Sequence, residues 1–129
     1  MPAHEPEEVD LLLQEAILER GDLDAAVALY EPNAVFVVSP DQVVTGHAAI
    51  REVLKGMIAA EATGNIDAVT AVASADGSLA VTRTKGTMTR PGPDGKPVTM
   101  PFHSVEVVRK QPDGTWLFAI DDPGGEGVE

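Results

Sequence analysis

From Glu8 to Arg20 the apolar residues Val9, Leu12, Leu13, Ala16 and Ile17 recur at steps of three and four, the spacing of one helix face. Gly21 ends this first helix, and Asp22 is placed to cap a second over 22–30, where Leu23, Ala26, Val27 and Tyr30 repeat the spacing until Glu31-Pro32-Asn33 breaks it. Ala34–Val38 is rich in β-branched and aromatic residues and predicts a strand, with a turn at Ser39-Pro40-Asp41 and a short extended piece through Val44. Thr45-Gly46 opens a third helix with Ile50, Val53, Leu54, Met57 and Ile58 on one face, running to about Ala62 and closed by Gly64-Asn65. Four strands follow, Ile66–Ser74, Leu79–Thr89, Val98–Lys110 and Trp116–Asp122, joined at Ala75-Asp76-Gly77, at the Arg90–Gly95 cluster and at Pro112-Asp113-Gly114.

Helices first and a long antiparallel run of strands after them is an α+β order. Three amphipathic helices need a common apolar surface, and one face of a curled sheet supplies it. The expected architecture is therefore a cone: a curved antiparallel sheet and three helices around an apolar pocket. Valine, threonine and methionine on both faces of the long strands predict a homodimer through the outer sheet face. Residues 1–7 read as a disordered tail, 8–123 as one domain and 124–129 as a second tail, with no internal repeat or linker.

Composition narrows the function. With 129 residues the chain can bury a core of its own. Twenty-one acidic residues against nine basic ones give a net charge of −12, which repels polyphosphates, so neither nucleic acid nor an anionic membrane is an expected partner. The start of the chain is acidic and carries no apolar run of the secretory kind, and there is no cysteine, which together fit a cytoplasmic setting. Three histidines without paired spacing imply no metal site, and neither a phosphate loop nor a nucleophile elbow is present, so no cofactor is expected.

Gly21-Asp22-Leu23-Asp24, Val27-Ala28-Leu29-Tyr30 and Thr45-Gly46-His47-Ala48-Ala49-Ile50-Arg51 resemble the ketosteroid isomerases and their SnoaL-like polyketide-cyclase relatives in the nuclear transport factor 2-like superfamily. Asp113-Gly114-Thr115-Trp116 resembles a hairpin common in that superfamily, and the resemblance covers roughly residues 8–122. It implies the cone fold but not one chemistry, because these folds host isomerases, cyclases, hydrolases and binding domains. In ketosteroid isomerases an Asp base works with a Tyr and a protonated Asp as oxyanion donors. By that resemblance the tyrosine's place is held here by Gln14, the base's place by Val38 and the donor Asp's place by His103. A valine accepts no proton, so the resemblance does not extend to steroid isomerisation by that mechanism.

The sequence thus nominates His103 as acid/base, Asp121 as its orienter or the base itself, and Gln14 as an oxyanion donor. If the Pro112-Asp113-Gly114 hairpin pairs residues summing to about 226, His103 lies diagonal to Asp121; a slip of one residue brings Asp122 instead. The opposing readings are a core histidine held by a backbone carbonyl, a solvated strand end for the two aspartates and a helix-edge glutamine. Tyr30, Phe36, Val38, Met57, Phe102, Trp116 and Phe118 are the candidate ligand-lining residues, although such residues form core first and contacts second. His4 and His47 read as solvated. Aromatics make up only 4% of the chain, which argues against a stacked steroid site. Two functions follow: a pocket protein for a small apolar molecule, as a cofactor-free isomerase, cyclase or dehydratase acting beside a carbonyl, or a non-catalytic ligand-binding or dimerisation module.

Overall fold

The structure, a computed structural model, describes residues 2–124. Helix α1 (Glu8–Gln14) continues as a π-helical turn over Glu15–Glu19; α2 (Leu23–Val27) and α3 (His47–Ala59) complete the helices. The strands are β1 (Tyr30–Ser39), β2 (Gln42–Thr45), β3 (Thr63–Ala73), β4 (Leu79–Pro91), β5 (Pro97–Lys110) and β6 (Trp116–Asp122). They form one curved six-stranded sheet in the order β2-β1-β6-β5-β4-β3. The α+β cone is therefore present. Every pairing is antiparallel except that of β1 with β6, which is parallel.

The first two helices turn where the chemistry requires it. Gly21 takes φ +58°, the left-handed conformation that suits glycine after a helix, and Asp22 accepts a hydrogen bond from the Ala25 amide at 3.1 Å as N-cap. The second helix is shorter than its spacing predicts. Tyr30 already begins β1, and its strand neighbour Phe118 donates its amide to Leu29 O at 2.8 Å, so sheet pairing overrides the helical period.

The helix stripes pack on one sheet face: Val9, Leu13, Ala16, Ile17, Ala26, Val27, Ile50 and Leu54 are buried with Tyr30, Phe36, Val108, Trp116 and Phe118. Each large aliphatic or aromatic side chain removed from water in this way contributes about 1.5–3 kcal/mol.

Two details depart from the expectations. The leading segment is tied down, with Ala3 only 1% exposed and its carbonyl accepting from the Trp116 amide at 3.0 Å. His47 is half-buried, and its Nε2 lies 2.7 Å from the Tyr30 carbonyl, to which it donates. The expected tail over 124–129 lies outside the described residues beyond Gly124. No helix among the described residues is long and apolar enough to cross a membrane.

Candidate functional site

Between α1, α3 and the concave sheet face lies a cavity of about 260 Å³. Its apolar wall comes from Leu13, Leu54, Met57, Phe36, Met88, Phe102 and Pro123. Set into that wall are Asp10 and Gln14 from α1, Tyr30 from β1, Ser104 and Glu106 from β5, and Asp121 from β6.

Each polar group is aimed inward by backbone periodicity. On α1, Asp10, Leu13 and Gln14 fall at i, i+3 and i+4, one face of the helix. On β5, Ser104, Glu106 and Val108 alternate with Val105 and Val107 and are all buried. On β6 the pairing runs Val108↔Phe118, then Val107↔Ile120 and Glu106↔Asp121, so a bulge at Ala119 adds one residue. Phe118 and Asp121 therefore face the same side, and Ile120 faces the other.

Three carboxyl groups, all with less than 5% exposure, meet in this hollow. Burial pushes Asp10 up to about 6, opposed by a hydrogen bond with Thr84. It pushes Glu106 up to about 8, helped by the nearby charges of Asp10 and Asp121 and opposed by Ser104 and Thr82. Asp121 rises to about 7 through burial, against the pull of a hydrogen bond from Tyr30 Oη to its Oδ2 at 2.5 Å. The Tyr30 phenol is itself held well above its usual range, first by burial and then by Asp121. Thr82 Oγ1 donates to Glu106 Oε1 at 2.7 Å, with Thr84 Oγ1 farther off at 3.4 Å. Asp10 Oδ2 and Glu106 Oε2 have no hydrogen-bond partner among the described residues, which is costly for buried oxygens.

Of the residues nominated from sequence, Asp121, Gln14, Tyr30, Phe36, Met57 and Phe102 line this cavity. His103 does not. It is exposed, pairs with Lys85 across β4 and β5, and shares a shallow outer-face hollow with Ala68, Thr70, Arg83 and Lys85. The expected pairing of His103 with Asp121 is not formed, because the residue opposite Asp121 is Glu106 and His103 points to the other side of the strand. Val38 is 42% exposed and off the lining, while Trp116 and Phe118 sit in the core, the Phe118 ring tilted against that of Tyr30 with centroids 4.8 Å apart. Asp10 and Glu106 were missed. Asp10 could have been found from its helical spacing to Leu13 and Gln14; Glu106 carried no such signal, since the run Val105-Glu106-Val107 favours its exposure. Among the described residues no group of three His, Cys, Asp or Glu side chains is arranged to hold a metal ion.

The SnoaL-like domain family matches residues 13–117 of the chain. No curated protein matches the sequence. Among solved structures, a candidate calcium/calmodulin-dependent protein kinase II association domain from Xanthomonas campestris is 25% identical over 92% of this chain and 85% of its own, with a TM-score of 0.72. A candidate dehydratase of the NTF2-like family from Streptomyces avermitilis is 17% identical over 89% of this chain and 90% of its own, with a TM-score of 0.74. A ketosteroid isomerase-like protein from Erwinia carotovora is 18% identical over 89% and 88%, with a TM-score of 0.72. The last two likenesses are of fold.

Proposed function

Because the chain belongs to the SnoaL-like domain family, within the nuclear transport factor 2-like superfamily, we propose that its cavity takes a small, largely apolar molecule and does cofactor-free acid/base work beside a carbonyl group. One observation carries this reading: two carboxyls in the same apolar hollow, Asp10 and Glu106, are pushed to about 6 and about 8, and each keeps one oxygen without a partner among the described residues. Environments that separate two such groups define a base and an acid at neutral pH.

Asp10, ionised, takes a proton from the carbon next to the carbonyl. The C–H electron pair forms the enol double bond, and the carbonyl π pair moves to the oxygen, which Glu106, protonated, stabilises by donating a hydrogen bond. In a substrate with a β,γ double bond, return of the proton from Asp10 to the γ-carbon completes an isomerisation; in a β-hydroxy ketone, the hydroxyl leaves with the Glu106 proton as water, and the proton held by Asp10 passes through solvent to restore Glu106. Asp121, held by Tyr30, keeps the local charge high, and the Gln14 amide is a further donor. Support also comes from the names of the two structural likenesses, a candidate dehydratase and an isomerase-like protein.

The reading is tested by incubating the protein with small apolar ketones and β-hydroxy ketones in deuterium oxide and following the α-hydrogens by NMR. Protein-dependent exchange or loss of water is expected. Saturable binding with no exchange across the panel would leave a carrier rather than an enzyme.

A second reading, a dimerising module, rests on the outer sheet face. Val72↔Val81, Val81↔Val107, Val107↔Ile120 and Val35↔Ile120 are successive register partners, so one apolar row crosses five strands. Val72 is 65% and Ile120 40% exposed. A second copy of the same face covers such a row symmetrically, and the Xanthomonas likeness is named an association domain. The two readings are compatible, and the missing cysteines suit a reducing, cytoplasmic home. Val107→Lys is expected to convert a dimer to a folded monomer, read as halved mass by light scattering with unchanged circular dichroism. A wild-type monomer would remove the dimer.

A further inference from the structure

We propose that the molecule recognised by the cavity carries a protonated amine on an apolar body. The inference rests on the small-molecule reading of this cavity, in its carrier form, and adds the charge of its ligand: an ammonium seated on Asp10 and Glu106 occupies the two groups that the acid/base step uses. Among the described residues that line the cavity there is no Lys, Arg or His, whereas there are three carboxyls, one each from α1, β5 and β6. The groups facing the hollow from other elements are the Tyr30 phenol on β1, the apolar Leu54 and Met57 on α3, and Thr82, Thr84 and Met88 on β4. An anionic ligand would meet only negative or neutral surroundings there. A neutral apolar ligand would bring no donor to Asp10 Oδ2 and Glu106 Oε2 when both carboxyls are ionised.

An alkylammonium removes both difficulties. It brings three N–H donors, enough for the two unpartnered oxygens and a third acceptor such as Asp121. It also supplies the positive charge that three clustered carboxyls lack, and charge-assisted bonds in a water-poor site are the stronger kind. The whole-chain charge of −12 draws cations toward the opening. The apolar wall of Leu13, Phe36, Leu54, Met57 and Phe102 then holds the rest of the molecule.

Three probes with one apolar body separate the possibilities: 4-phenylbutylamine, 4-phenylbutan-1-ol and 4-phenylbutanoate, titrated calorimetrically at pH 7.5. The amine is expected to bind at least about tenfold more tightly than the alcohol, in line with the advantage of a charge-assisted bond, and the carboxylate not at all. Binding of the amine should release protons, seen as heats that differ between phosphate and Tris buffers, because the cation favours ionised carboxyls. Butylamine, lacking the ring, should bind weakly, which distinguishes the cavity from the acidic surface. The Asp10→Asn/Glu106→Gln double variant should lose the amine preference and keep the alcohol. Equal affinity for amine and alcohol would overturn the inference while leaving the cavity reading intact; no saturable binding by any of the three would overturn both.

Discussion

Asp10→Asn is expected to lower any exchange or elimination catalysed by the protein by about 10²–10⁴-fold, the usual contribution of a positioned general base. The amide keeps the size of the carboxylate and can still accept a hydrogen bond, but it cannot take a proton. At pH 7.5 the Asp10 carboxyl, held at about 6, is mostly ionised, whereas Glu106, at about 8, is mostly protonated, so the two roles are not interchangeable. The variant also removes a buried charge, and its fold should be at least as stable as the parent's; urea unfolding checks this. Binding of a neutral apolar probe should stay within about twofold, since uniform ground-state contacts are untouched. The rate should fall in kcat rather than through a raised KM. Turnover within threefold of the parent would rule Asp10 out as the base and pass that role to Asp121.

Glu106→Gln is expected to stabilise the protein at alkaline pH by about 2–4 kcal/mol, because a buried carboxylate with no cation beside it among the described residues and two like charges nearby is replaced by a neutral group of the same shape. The sign follows from the direction of the shifts. Asp10, Glu106 and Asp121 are all raised in the folded state, to about 6, 8 and 7. Groups of this kind contribute stability that is fully present below the unfolded values near 4 and is lost as pH rises through the folded ones. The parent should therefore weaken between about pH 5 and pH 9, each unit of displacement representing about 1.4 kcal/mol at most. In the variant one of three such groups is gone and the slope is shallower. Denaturant midpoints at pH 5 and pH 9 decide it: the two proteins should nearly coincide at pH 5 and diverge at pH 9. If the variant is less stable at both, Glu106 is a structural hydrogen-bond anchor for Thr82 and not a strained acid. Stability gained at the expense of binding is what a functional site leads one to expect.

The helices and most strand boundaries were legible in the chain. The stripe Val9, Leu13, Ala16 and Ile17 is buried as its spacing predicts, β6 runs over Trp116–Asp122 as expected, and the turn residues fall where the hairpins close. Half of the candidate site was legible too. Gln14 and Asp121 were nominated and line the cavity, as do Tyr30, Phe36, Met57 and Phe102. Asp10 and Glu106 are not legible there, and the resemblance assigns His103 to the inner wall.

The reason lies in the period of a strand. The resemblance alone puts His103 in the donor Asp's place, and in His103-Ser104-Val105-Glu106-Val107-Val108 alternation does not arbitrate, because both faces carry valine. The structure takes the opposite parity: Ser104, Glu106 and Val108 are buried, Val107 joins the outer apolar row, and Val105 stands on the same face between Arg83 and Asp122. A single bulge at Ala119 decides β6 as well, turning Asp121 inward and Ile120 outward where strict alternation from Phe118 would do the reverse.

Hydrophobic periodicity by itself determined that this chain makes three amphipathic helices and a strand meander, because burying apolar area needs only local spacing. Which face of each strand became the wall of the cavity was decided by the tertiary structure alone. That choice depends on register and on one inserted residue, whose cost is set by partners far away in sequence.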